Sequence, residues 1–255
     1  MVYRIIRVLV LVALLPLAAN AEIDVIDAWS EGNGARTASA AIDGLLLAVV
    51  SYEVTAESDL ATVDFGATAM TFGFRVSQGS GGGVWQYIEV WYLLDAGIPA
   101  GSQNPSFAVT YTGNTPGGDG PSFVYALLDS VDQTGPINNT ASDSSSSTQT
   151  MNVTVTTVAG GLSLFVANQK NGDSPPTMVW TGPTEQWDQD GGDFQFTGAD
   201  DLHAGSGTLN GSVTTAASAG RMCILGIEFE PSGDAPAAED RLRRRRITNT
   251  LGGPE

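Results

Sequence analysis

The sequence predicts an all-β fold: one antiparallel sandwich of two packed sheets, jelly-roll-like, with a closed barrel as the alternative. Three observations carry this. Val84 to Leu94 is almost wholly β-branched, aromatic or aliphatic, which suits a strand covered on both faces. Phe107, Val109 and Tyr111 alternate with Ala108, Thr110 and Thr112, the period-two pattern of a half-buried strand. Outside the first twenty positions no segment sustains apolar residues at helical spacing, and 31 glycines punctuate the chain.

The elements follow in order. Glu22 to Asp27 is a short strand, with the loop Ser30 to Thr37 behind it. Leu45 to Tyr52 is a second buried strand, introduced by Asp43-Gly44. Thr62 to Phe65 and Ala69 to Val76 form a hairpin about Gly66, and Gly79 to Gly83 is a flexible loop. After the Val84 strand, the prolines and glycines of Asp95 to Pro105 cannot sit in a ladder, so Phe107 to Thr112 reads as the returning arm of a hairpin. Ser122 to Leu128 is the next strand, and Asp129 to Ser147 is polar, with Ser144 to Ser147 a low-complexity tip. Met151, Val153 and Val155 alternate with polar residues and pair with Leu162 to Ala167 across Ala159-Gly160-Gly161. Trp180 and Trp187 frame a turn region; Phe194 to Phe196 and Leu209 to Thr215 are weaker strands. Met222 to Glu230 closes the body, with Ile227 and Phe229 inward and Glu228 and Glu230 outward.

Residues 1–21 have the form of a signal peptide. Arg4 and Arg7 precede the apolar run Val8 to Ala18, which is short for a membrane span, and Ala19-Asn20-Ala21 fits a signal-peptidase site. The expected organisation is therefore a leader over 1–21, an N-terminal arm over 22–37, a sandwich domain over 38–231 and an Arg-rich flexible tail over 232–255. A secreted or cell-surface location follows from the leader. The single cysteine, Cys223, lies in an apolar run and reads as a buried small hydrophobe, so no internal disulfide is available.

The net charge is −17, and the body between the leader and the tail carries only Arg36, Arg75, Lys170 and Arg221 as cations. Such a surface repels phosphate, which argues against nucleic acid and anionic lipid as partners of the body. Arg241 to Arg246 form a basic block, either a solvated tail or a contact for the acidic body of a neighbour or for an anionic surface. The arm is separated from the body by a glycine-containing loop and is of a kind that completes a neighbour's sheet edge.

Several phrases carry a family likeness: Val63-Asp64-Phe65-Gly66-Ala67-Thr68-Ala69-Met70, Trp91-Tyr92-Leu93-Leu94 leading to Pro99-Ala100-Gly101, Val131 to Ile137, and the terminal strand ending at Pro231. In these the chain resembles an uncharacterised family of secreted bacterial β-sandwich domains, often embedded in large surface or adhesin-like proteins. The resemblance spans roughly Ile42 to Pro231. It implies a fold and a compartment, and it supplies no active site.

Chemistry has few carriers. His203 is the only histidine and reads as an exposed loop residue, and no serine sits in a nucleophile turn. Glu89, Glu228 and Glu230 are the acids that could serve a carboxylate glycosidase or lyase. Asp188, Asp190, Asp193 and Asp200, interleaved with glycine, are candidate ligands for Ca²⁺. Trp180 and Trp187 are candidate rings for stacking on sugars, as in a carbohydrate-binding module, while Trp85 and Trp91 read as core. The preferred reading is a non-enzymatic extracellular structural or adhesive protein that self-associates or meets an extracellular glycan. Sequons at Asn138, Asn152 and Asn210 suit outward positions.

Overall fold

The computed structural model describes residues 21–36, 38–55, 59–79, 83–99, 105–112, 121–170, 176–190, 194–216 and 220–233. Sixteen strands are named here in chain order. The first eight are β1 (Asp24–Glu31), β2 (Leu45–Val54), β3 (Asp59–Phe65), β4 (Thr68–Ala69), β5 (Thr71–Gly79), β6 (Trp85–Leu94), β7 (Phe107–Thr112) and β8 (Ser122–Asp129). The second eight are β9 (Ile137–Ser145), β10 (Thr150–Thr157), β11 (Leu162–Lys170), β12 (Met178–Thr181), β13 (Thr184–Asp190), β14 (Phe194–Leu202), β15 (Gly207–Thr215) and β16 (Arg221–Phe229). The all-β antiparallel sandwich is as expected, but the described residues form four sheets rather than two.

The sheets stack in layers. An outer sheet β4-β3-β7 packs on the five-stranded sheet β1-β8-β2-β6-β5, through Val63, Phe65, Phe107, Tyr52 and Tyr87. That sheet meets the second five-stranded sheet, β13-β14-β11-β16-β9, through Leu47, Val49, Ile88, Leu164, Leu225 and Phe229. The far outer sheet, β10-β15-β12, closes the stack over Phe165, Met222 and Ile224. The inner strands of the two central sheets are covered on both faces, so almost every residue of β2 and β11 is buried, and β2 is a near-continuous apolar run. Outer strands are covered on one face only, and β10 is buried at strictly alternate residues.

Connectivity shows a duplication that no sequence period announces. The order β1-β8-β2-β6-β5 in the first half recurs as β9-β16-β11-β14-β13 in the second. The pairing β3-β7 likewise recurs as β12-β15, with β10 added on the free side of β15.

Two expected hairpins are not formed, and a third, about Gly66, closes only over Asp64–Ala69 and Phe65–Thr68 before β5 leaves to pair with β6. β6 lies in a central sheet, whereas β7 crosses to the outer sheet and pairs with β3. β10 pairs with β15, and β11 pairs with β14 and β16. In both cases the turn carries the chain between layers instead of back along one sheet. The arm, too, is placed otherwise than foreseen: β1 adds to its own chain's β8, with register shifts after Val25 and Asp27. Ala21 and Ile23 are fully buried, and the Ile23 amide donates to the Gly160 carbonyl (2.9 Å). Gly160 (φ +81°) permits this approach, because a Cβ there would lie 2.5 Å from the Ala21 carbonyl oxygen. Residues 1–20 and the basic block 241–246 lie outside the described residues.

Candidate functional site

The only histidine is not an exposed loop residue. The β14–β15 connection sets His203 beside the turn 158–161, with the Gly160 amide donating to the His203 carbonyl (2.7 Å) and the His203 amide to that of Gly161 (3.0 Å). Its Nε2 lies 2.7 Å from Ser163 Oγ on β11 and 3.4 Å from Glu228 Oε2 on β16. Ser163 and Glu228 face each other across the β11–β16 register and neither is exposed to solvent. Ser163 Oγ donates to Glu228 Oε2 (2.5 Å), and the Val158 amide donates to Oε1 (3.0 Å). Glu228, expected to point outward, is buried because β10 and the turn 158–161 cover that face of β16.

What this cluster can do follows from proton placement. With Glu228 ionised, Ser163 donates its one proton to the carboxylate and accepts from His203 Nε2. A nucleophile needs the opposite direction, with the imidazole accepting from the hydroxyl and the hydroxyl open to substrate. The chain His203–Ser163–Glu228 therefore ties two turns to the sheet beneath them. Burial pushes the Glu228 carboxyl above its ordinary range, opposed by the bonds from Ser163 and Val158.

A second buried acid, Glu89 on β6, occupies a different layer. It accepts from Tyr52 Oη (2.6 Å) and Trp91 Nε1 (3.0 Å), under the outer sheet of the first half. Arg75 lies 4.0 Å away and 5.5 Å above the Tyr87 ring. Burial, then Glu89 itself, pushes the Tyr111 phenol up to about 12. Glu89 thus faces the outer sheet β4-β3-β7, and Glu228 faces the outer sheet β10-β15-β12, with both central sheets between them. The structure does not bring these two acids together, as a glycosidase pair requires.

The tryptophans expected to present exposed rings are interior. Trp180 is 8% exposed, packs with Phe165 and donates to Thr197 Oγ1 (3.0 Å). Trp187 is 5% exposed and lies between Trp29 and Phe196. Neither lies in a turn: Trp180 is on β12 and Trp187 on β13, and strand alternation points both inward.

The aspartates are dispersed as well. Asp188 accepts from Gln195 Nε2 (2.7 Å), whereas Asp200 accepts from Trp29 Nε1 and Gln186 Nε2 (2.7 Å each). Asp188 and Asp200 stand opposite Thr197 and Thr184, four residues apart along the sheet. Asp193 lies outside the described residues. Among the described residues no group of three or more His, Cys, Asp or Glu is arranged to hold a metal ion.

A depression of about 360 Å³ lies over the link between the halves, lined by Asp43, Asp132, Gln133, Thr134, Ser232 and Gly233. Its polar groups close turns: Asp132 Oδ1 accepts from Thr134 N (2.6 Å), Thr134 Oγ1 (2.7 Å) and Gly135 N (3.0 Å). At one end of the central core, Glu53 of β2 takes both Lys170 Nζ (2.9 Å) and Arg221 (2.6 Å) from the facing sheet. Cys223 is buried as expected, 3.9 Å from the Gln86 carbonyl, and burial pushes its thiol up.

These shifts fix a sign for pH dependence. Asp188, Asp200 and Glu228 are all raised, each chiefly by burial, and so is the more exposed Glu185. A raised carboxyl binds its proton more tightly when folded, so its contribution is full at low pH and is lost as pH climbs through the folded value. Asp132 runs the other way: held low by the Thr134 hydroxyl and the Thr134 and Gly135 amides, it stabilises at neutral pH and fails only in stronger acid. The melting temperature is expected to rise as the pH is lowered from 7.5 toward about 4, the ordinary carboxylate range, and to fall only in stronger acid, where Asp132 takes up its proton. A scanning calorimetry series that declines steadily from pH 7.5 downward would contradict this.

No protein-family model, no curated protein and no solved structure matches this chain.

Proposed function

We propose that this is a non-enzymatic, exported β-sandwich with a structural or adhesive role at the cell surface or outside the cell. One observation carries the reading: the side chains best able to do chemistry are used as links within and between layers. Glu228, Ser163 and His203 hold turns to a central sheet, while Glu89 is closed over by Tyr52 and Trp91. Glu53 joins the two central sheets through Lys170 and Arg221, and Asn168 joins them through Ser51. Such placement favours cohesion of the stack over turnover of a substrate. The stacked antiparallel sheets support the sandwich, and the leader-like first residues support export.

The test is done in the producing cell. The protein is expected in the surface or medium fraction, and its removal is expected to weaken attachment or matrix cohesion without loss of any degradative activity. Polymer turnover that disappears on changing Glu89 or Glu228 to glutamine would overturn the reading.

A further inference from the structure

The far outer sheet differs from the rest of the molecule in one respect. β10 (TMNVTVTT), β12 (MVWT) and β15 (GTLNGSVTT) contain no charged residue, in a chain of net charge −17. Met151, Val153, Val155, Met178, Trp180 and Val213 point inward and fix the sheet to its neighbour. Outward, the register brings β10 and β15 into four rows: Thr150 with Thr214, Asn152 with Ser212, Thr154 with Asn210, and Thr156 with Thr208. β12 continues two of these rows with Val179 and Thr181. Both registers run without a bulge.

We propose that this face binds ordered water in its crystalline form, the surface of ice. Rows about 4.8 Å apart across strands and about 6.8 Å apart along them follow from strand geometry, and both repeats lie close to oxygen spacings of hexagonal ice. Each outward threonine of these rows offers a methyl and a hydroxyl to the first water layer. Cross-strand bonds hold some of these groups in place before any contact: Thr154 Oγ1 donates to Asn210 Oδ1 (3.1 Å), and the Thr150 and Thr214 hydroxyls lie 3.3 Å apart. Charge, which would impose a competing orientation on the first water layer, is absent from these strands.

Other occupants fit less well. A protein interface draws its affinity from buried Trp, Tyr and Arg anchors, and the outward positions of this sheet have none. A polysaccharide surface calls for exposed rings to stack on, and the one tryptophan of this sheet, Trp180, faces inward.

The full chain is tested for thermal hysteresis, for faceting of a seed crystal and for partition into a slowly grown ice hemisphere. The wild type is expected to show hysteresis, to facet the seed and to enter the ice. Thr154→Lys and Thr208→Lys, at exposed positions, are expected to lose most of all three while keeping the wild-type circular dichroism and melting temperature. Thr55→Lys, an exposed change before β3, is expected to behave as wild type. Three results would each overturn the proposal: a wild type that stays in the liquid, folded variants that still enter the ice, or a sheet whose variants abolish instead a dimer in sedimentation or retention on cellulose or chitin.

Discussion

Replacing Phe165 with alanine is expected to destabilise the fold by about 3–5 kcal/mol, the cost of removing a fully buried ring and leaving a cavity. In a chain of this size that corresponds to a melting temperature lower by roughly 10 °C. Phe165 is unexposed and packs beneath the far outer sheet beside Gly226, its register partner on β16. Its ring occupies the space left by two glycines: a Cβ on Gly211 would lie 2.2 Å from ring carbon Cδ1, and one on Gly226 would lie 3.0 Å from Cε1. The converse change, Gly211→Val, is therefore expected to be comparably damaging by overpacking, and combining it with Phe165→Ala is expected to recover part of the loss. Additive losses in thermal melts of the three proteins would show that ring and glycines do not share one space.

The second large effect is expected at Glu228. Glu228→Ala leaves the Val158 amide and the Ser163 hydroxyl without their acceptor, at about 1–3 kcal/mol for each buried group left unpaired. Glu228→Gln keeps an acceptor for Val158 and removes a carboxylate that burial already disfavours, so its loss is expected to be much smaller. The same variant is expected to flatten the part of the pH profile that Glu228 supplies. Equal destabilisation by the two changes in urea titration would mean that the carboxylate charge, rather than the acceptor, holds the turn.

Much of the architecture was legible because burial on two faces writes itself into composition. β2, β6 and β16 are apolar runs, and β10 alternates, so their presence could be read directly. β9 (INNTASDSS) could not: it is a polar edge strand, held by its register with β16 and not by apolar residues of its own. Pairing was the weaker inference for a physical reason. A glycine turn signals reversal, and whether the chain returns along its own sheet or steps to the next layer depends on packing surfaces distant in sequence. The cluster at His203 was hidden likewise, since Ser163 and Glu228 lie 40 and 25 residues away on other strands. For Trp180 and Trp187 a signal was present. Met178 and Trp180 alternate with Val179 and Thr181, and the acids around Trp187 drew attention from the strand that carries it.

The seating of Ile23 against Gly160 also constrains the route by which the chain matures. Synthesis delivers the amino end first, yet the slot that receives it is assembled from a turn and a loop made far later. Until those arrive, an apolar residue near the start must wait in solvent. Long-range closure of this kind slows folding and prolongs exposure to aggregation, so holdase chaperones have their longest opportunity on the earliest part of this polypeptide.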